Sequence, residues 1–523
     1  MAMTAQAAPP ADLIAQIHFA GAKQISADTN SQAFTNIFCS VEARELEGQT
    51  LDKLSHFPGT WFKPRIAAGA GDEAKRFRPL LDDLLKAEWI WEVHATTSGV
   101  PETLLAVRLG ADRAQLWQND LAGILQTWTR LPVTKTGNGW LLKKDQPPNR
   151  VRFARVGDWV VLSWGQNELP FSDGVIRRLQ AEKRPVPAAK DYWVAADVDW
   201  PRLASWFAPL KNFDFPKIEM QIAGRNGDLW ANGKFILSRP LPPPERWRMP
   251  TNTIHQPLES FTAVRGIGPW LSRQSWVKRY EIQPPPDQLY IWALPPIPMR
   301  TFAAAPMPEA SAVVAQLNTR LSPVFTGNTR SGFLSPVVTV FTNNEIAWRS
   351  VPFASPFLRA LREPAGSFLF GGFFPNSERS QPLPRELFEQ LNTPGLVYYH
   401  WEITSERLGS LSALTQLMLM ITWHKPLGEN SIASKWLNRI KPALGPTVTE
   451  VTRTGPNELT FLRKASCGLT AFELIALANW LEAADFPGCD LRVPPRAIRR
   501  EHFLPGAPAA PVRPAPAKPT APR

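Results

Sequence analysis

Histidine and cysteine are scarce in this chain, and where they occur they stand apart. The histidines His18, His56, His94, His255, His400, His424 and His502 fall singly, with no HxxxH or HExxH spacing and no cysteine at ligand distance. A zinc or iron centre needs ligands that converge at short, fixed spacing, so neither a metal site nor a cofactor is expected. The three cysteines, Cys39, Cys467 and Cys489, are an odd number without a CxxC pair, so at least one stays unpaired within the chain. A bridge from Cys467 to Cys489 has to reach around a helix of about four turns, far beyond the roughly 7 Å between Cα atoms that a disulfide spans. All three are therefore expected as small buried side chains.

Long apolar runs are missing too. The longest candidate, Leu411 to Trp423, is interrupted by Ser412, Thr415 and Gln416, whereas a span needs roughly 18 apolar residues in a row. No transmembrane helix is expected. Nor is there a dense basic run: the net charge is +12, but Lys and Arg are interspersed with acids along the whole chain. Without a basic stripe or a reading motif, nucleic acid is not the expected partner, and attraction to an anionic envelope surface is what the charge leaves open. Gly69-Ala70-Gly71 lacks the third glycine of a dinucleotide fingerprint and the Lys-Ser/Thr of a P-loop. No GxSxG elbow occurs, and Ser466-Cys467-Gly468 has no flanking pattern that makes either side chain a nucleophile.

What the sequence does contain is a repeat. Asp197-Val198-Asp199-Trp200-Pro201-Arg202-Leu203 returns as Glu402-Ile403-Thr404-Ser405-Glu406-Arg407-Leu408. Each copy ends an alternating β-type run in an acid, places Asp199 or Thr404 where a helix N-cap stands, and continues into an apolar helical pattern. Pro201 suits the first helical turn, where the missing N–H has no intrahelical partner.

Around these segments the local signals run in the same order twice. In the first copy, Phe77, Leu80, Leu81, Leu84 and Leu85 trace a helix stripe, followed by strands at 89–95 and 104–109 and a helix at 114–125. Hairpins turn at Gly137-Asn138-Gly139, Gly157-Asp158 and Asn226-Gly227. In the second copy, a strand at 289–294, a helix at 310–321, a hairpin around Asn343-Asn344, a strand at 367–374 and a helix at 385–391 lead to the Glu402 segment. A helix at 432–444, a hairpin at Gly455-Pro456-Asn457 and a final helix capped by Thr470 with Glu473 follow.

The expected fold is α+β, two duplicated units of antiparallel meander sheet, each covered by helices on one face. The units span 12–240 and 250–490, divided at Pro240 to Pro244, and a disordered Pro/Ala-rich tail occupies 505–523.

Two sets of residues are candidates for function. Asp197 and Glu402 are the best candidates for catalysis, as acids of the repeat that can face each other as paired carboxylates across a pseudo-twofold. The recurrence of Arg202 and Arg407 five residues on points instead to salt bridges between strand end and helix start. The second set is drawn from the 21 tryptophans, whose rings serve as platforms for sugars or anchors at lipid interfaces. Trp61, Trp247, Trp270 and Trp276 sit near proline or charge and are expected to be exposed, while Trp159, Trp164, Trp193 and Trp480 sit in regular patterns and are expected in the core. Gly371-Gly372 is expected to form a bulge or tight bend.

The runs Glu259-Ser260-Phe261-Thr262-Ala263-Val264-Arg265-Gly266, Pro269-Trp270-Leu271, Gly157-Asp158-Trp159-Val160-Val161, Pro456-Asn457-Glu458-Leu459-Thr460 and Gly468-Leu469-Thr470-Ala471-Phe472-Glu473-Leu474 resemble uncharacterised exported bacterial proteins of the verrucomicrobial and planctomycete type. The resemblance covers about residues 12 to 490 and implies duplicated α+β units. It brings no assigned activity and no catalytic residues. It also implies export, in keeping with Ala5-Gln6-Ala7, a small-x-small pattern of the signal-peptidase kind, although the charged and apolar regions that belong before it are not in the sequence. The expected protein is a non-enzymatic binding or scaffold protein with unknown ligand, in the periplasm or cell envelope if an export signal precedes this sequence and otherwise in the cytoplasm with an ordinary Ala-rich terminus. The alternative is a hydrolase acting on envelope glycan or peptide through carboxylates assembled by the fold.

Overall fold

A computed structural model describes residues 12–488 apart from 62–69, 98, 146–147, 167, 184–191, 208–209, 212–214, 296–299, 327–337, 343, 350–353, 375–384, 422–427, 429 and 484–485. The chain opens with strand β1 (Leu13–Phe19) and four helices, α1 (Ala22–Ala27), α2 (Gln32–Phe38), α3 (Val41–Trp61) and α4 (Ala70–Lys86). Strands β2 (Trp89–His94) and β3 (Glu102–Arg108) and helix α5 (Ala111–Thr129) come next. A meander follows, of β4 (Val133–Thr136), β5 (Gly139–Asp145), β6 (Pro148–Val156) and β7 (Trp159–Gly165). Helix α6 (Pro170–Glu182), strand β8 (Val194–Asp199), helix α7 (Trp200–Trp206) and the hairpin β9 (Lys217–Arg225) and β10 (Asp228–Ile236) complete the first half.

The second half begins with β11 (Ser260–Arg265), two short helices, α8 (Gly268–Leu271) and α9 (Ser275–Arg279), and strands β12 (Gln288–Ala293) and β13 (Thr301–Pro306). Helix α10 (Ala310–Thr326) precedes the meander β14 (Val338–Thr342), β15 (Glu345–Arg349), β16 (Phe357–Glu363) and β17 (Gly366–Gly372). Then come α11 (Arg385–Leu391), β18 (Leu396–Ile403), α12 (Thr404–Ile421), α13 (Ile432–Ile440), the hairpin β19 (Pro446–Arg453) and β20 (Glu458–Ala465), and α14 (Ala471–Glu482).

Every pairing is antiparallel, and the strands form one 20-stranded sheet. From one edge the order is β4-β5-β6-β7-β3-β2-β1-β8-β9-β10. It continues β20-β19-β18-β11-β12-β13-β17-β16-β15-β14. The second series, read from the far edge, follows the same strand order as the first. The halves join where β10 pairs with β20, from Leu229 opposite Ala465 to Ile236 opposite Glu458. The tight β9–β10 turn is set by Asn226 at φ 52° and Gly227 at φ 81°, the left-handed pair that a two-residue hairpin requires.

Helices lie on both faces, not one. Ile90 is opposite Ala106, so these two share a face and Val107 points the other way. Helix α5 buries Trp117, Leu121 and Ile124 with Val107 and Val160, whereas α6 buries Val175 and Leu179 with Ile90, Ala106 and Val161. The second half is arranged alike, with α10 beside Leu369 and α11 beside Phe370. The reason is in the strands: Trp159-Val160-Val161 is apolar and buried at successive positions, and a strand apolar on both faces needs cover on both.

The proline-rich stretch after β10 is a strap. Leu237 and Leu241 donate to the carbonyls of Asn457 and Pro456 in the β19–β20 turn, and Met249, Ile254 and Leu258 then pack onto Phe261, Tyr290 and Trp292. On the opposite face, Ile37, Ala43 and Leu46 of α2 and α3 share one core with Trp436, Leu437, Leu474 and Ile475 of α13 and α14. Helices of the two halves thus interlock. No helix among the described residues is long and apolar enough to cross a membrane. The tail 505–523 lies outside the described residues.

Candidate functional site

Strand register decides what the repeated acids do. Glu402 is opposite Thr447, and Thr447, Thr449 and Val451 share its face. From Val451 that face runs through Phe461, Gly233 and Met220 to Ala196. Asp197, the neighbour of Ala196, therefore points to the other side. The strands end at Asp199 and Ile403 and the helices begin at Trp200 and Thr404, so Val198, not Asp197, stands at the place of Glu402. A slip of one residue turns a side chain to the opposite face. The paired-carboxylate arrangement of Asp197 and Glu402 is thereby excluded.

The expected Arg partners change as well. Asp197 pairs with Lys217 at 3.2 Å, and Lys217 also reaches Glu219 at 3.1 Å. Asp199 caps α7 by accepting the Arg202 N–H at 3.2 Å, with the Arg202 guanidinium 3.9 Å away. Thr404 is the first residue of α12 and exchanges a 2.7 Å hydrogen bond with Thr447. Arg407 is buried, and its guanidinium donates to Thr301 Oγ1 at 3.3 Å.

Glu402 itself is buried beneath α14 and accepts the N–H of Ala471 at 2.7 Å. His400 Nε2 lies 3.3 Å from its other oxygen, while His400 Nδ1 meets Thr262 Oγ1 at 2.8 Å. Burial pushes the Glu402 carboxyl up, but His400, the Ala471 amide and Thr404 outweigh it and leave the group below its usual range. The nearby Glu259, also buried, accepts from Ser410 Oγ at 3.1 Å, and burial raises it above the usual carboxylate range.

The first half has its own buried acids, on the face under α6. Gln16 and His94 both contact Glu92 at 2.9 Å. Glu102 receives the N–H groups of Phe171 and Ser172, at 3.2 and 2.7 Å, at the start of α6. Both Glu102 and Glu402 thus tie a helix N-terminus to the sheet, where the exposed amides and helix dipole favour an anion. Glu92, Glu102 and Glu259 were not singled out in the sequence. The signal for Glu92 was an acid inside the apolar run Trp89-Ile90-Trp91-Glu92-Val93.

Of the tryptophan candidates, Trp270 at 59% and Trp276 at 48% are exposed as expected. Trp247 is not: it packs against the buried core, with Tyr290 at 5.9 Å and the Arg265 guanidinium 4.5 Å over its ring. The side chain of Trp61 lies outside the described residues. Trp480 is 41% exposed, although its pattern suggested core. Gly371-Gly372 continues β17 without a bulge, and position 372 needs glycine because a Cβ there would fall 2.6 Å from the Phe302 ring. Cys467 is buried, its thiol pushed up to about 11 by burial. Cys39, in contrast, is exposed; Cys489 lies outside the described residues. Among the described residues no group of three or more His, Cys, Asp or Glu is arranged to hold a metal ion.

One surface emerges that the sequence did not mark. On the side opposite Glu402, cross-strand rows run Asp197, Glu219, Lys234, Thr460, Thr452 and then Ala195, Gln221, Asn232, Leu462, Glu450. Beside them Trp230 lies between Arg225 at 5.9 Å and Lys464 at 5.8 Å. Lys464 pairs with Asp228 and Lys234 with Glu458, each at 3.2 Å. Leu462 in the middle is 37% exposed. Helix α6 covers this side of the sheet in the first half, and α11 with the strap covers it in the second. No family of proteins, no curated protein and no solved structure matches the chain.

Proposed function

We propose that the protein is a non-enzymatic binding or scaffold protein of the bacterial cell envelope that holds its partner on this central face. The observation that carries the reading is the polar floor of β8, β9, β10, β20 and β19, with Trp230 and Leu462 set among charged side chains. An apolar centre with a polar surround is the usual anatomy of a binding surface. The hydrolase alternative, which acts through carboxylates assembled by the fold, loses its candidate pair, because Asp197 and Glu402 point to opposite faces and Glu402 and Glu102 are engaged in holding helix N-termini. The envelope location belongs to the proposal; Ala5-Gln6-Ala7 lies outside the described residues.

The test compares the full chain with a Trp230→Ala, Lys234→Glu, Leu462→Asp variant as bait in cross-linking capture from envelope extracts. A partner retained by the parent and by a control substitution at exposed Val100, but reduced tenfold or so by the triple variant, is the expected result, since central residues dominate interface energies. Equal capture by all three, or release of products from envelope glycan or peptide by the purified protein, overturns the reading.

A further inference from the structure

Between β11 and β12 the chain makes a short excursion over 266–287 in which both exposed tryptophan candidates occur. It is fastened at several points. The Asp287 carboxylate accepts the N–H groups of Gly266 and Gly268, both at 3.1 Å. Leu271 and Val277 are buried, and Gln316 of α10 donates to the Tyr280 carbonyl at 3.2 Å. Each short helix therefore has an apolar residue turned inward and a tryptophan turned outward: Leu271 with Trp270 on α8, Val277 with Trp276 on α9. The same segment carries Arg273, Lys278 and Arg279, all exposed. From 266 to 280 there is no acidic residue. The first acid, Glu281, is paired with Arg320.

We propose that this excursion is a peripheral docking patch for an anionic lipid bilayer, in which Trp270 and Trp276 enter the headgroup layer while Arg273, Lys278 and Arg279 meet lipid phosphates. Indole rings favour the membrane interface because they are apolar in body and carry one N–H donor. Basic side chains held beside them gain from the negative surface of the leaflet. Charge complementarity favours this occupant, since the excursion carries three exposed cations and two exposed indoles, while its acids are engaged, Asp287 with the Gly266 and Gly268 amides and Glu281 with Arg320. The patch shares no residue with the central face, so either proposal can fail alone.

Co-sedimentation of the full chain with vesicles tests it. Vesicles of phosphatidylcholine mixed with phosphatidylglycerol are expected to bind the protein, vesicles of phosphatidylcholine alone to leave it in solution, and added salt to weaken the binding. The Arg273→Gln, Lys278→Gln, Arg279→Gln variant is expected to lose affinity on the order of a hundredfold, from the typical gain per basic residue at an anionic surface. A Trp270→Ala, Trp276→Ala variant is expected to bind more weakly while keeping the salt dependence. All five side chains are exposed, so circular dichroism should stay that of the parent. Equal binding to both vesicle types, binding to neither, or parent-like affinity of the basic-residue variant overturns the proposal. So does binding to soluble dextran sulfate without binding to vesicles, which assigns the patch to an anionic polymer.

Discussion

A buried carboxylate must either be supplied with donors or hold its proton, and Glu402 and Glu259 follow opposite courses. Glu402 lies below its unfolded pKa in the folded state. Its contribution to stability is therefore present above that unfolded value and is lost as pH falls through the folded one. For Glu259, raised by burial, stability is full below the unfolded pKa and declines as pH rises through the folded one. Stability measured by urea unfolding across the acid range should consequently flatten on its acid side in Glu402→Gln and on its higher-pH side in Glu259→Gln. An unchanged profile in both would mean that neither group titrates differently in the fold. Glu402→Ala should in addition cost about 1–3 kcal/mol, since it leaves the Ala471 N–H buried without an acceptor. The sequence marked Glu402 as an unusual acid but gave no means of telling which face it occupies.

At the scale of elements, local chemistry was legible where it is self-contained. Thr470 and Glu473 form the reciprocal capping box that their spacing announced, with Thr470 accepting the Glu473 N–H and Glu473 accepting the Thr470 N–H. Thr470→Ala is expected to lower stability by about 1 kcal/mol in chemical denaturation, and Thr470→Ser to restore most of it. No loss in Thr470→Ala would count against the cap. The same helix shows the limit of periodicity. Helix α14 is apolar nearly all round, so nothing local chooses between the buried set Leu474, Ile475 and Ala478 and the exposed pair Phe472 and Trp480. Helix α3 has the contrary difficulty: it is polar over most of its surface, and Ala43 and Leu46 matter because α13 lies against them. Elements stabilised by a neighbour carry little signal of their own.

At the scale of the molecule, the two halves are bound together twice, by the β10–β20 ladder and by the helical core that α2 and α3 share with α12, α13 and α14. Trp436 sits in that core, its indole donating to the Ile37 carbonyl at 3.4 Å and its ring 6.2 Å from Phe38. Trp436→Ala should destabilise the fold by about 3–5 kcal/mol, as large aromatic truncations in cores do. Hydrogen exchange should then accelerate in β1, β8 and β9 as well as in β18 and β19. Acceleration confined to the second half would show that the shared core does not couple the halves.

The sequence by itself marked many of the elements, including α11 at Arg385–Leu391 and the Asn226-Gly227 hairpin, because periodicity, caps and tight turns act within a few residues, whereas β1, α1, α2, α3, β11, α8, α9, β13 and β16 were not read from it. It also determined the order of the elements it marked along each half. Tertiary structure alone decided that β7 pairs with β3 and β10 with β20, that helices cover both faces, and that Asp197 and Glu402 point apart. Strand neighbours are chosen by contacts between residues far apart in the chain. With a side-chain period of two, a one-residue uncertainty in aligning the repeats is enough to exchange one face of the sheet for the other.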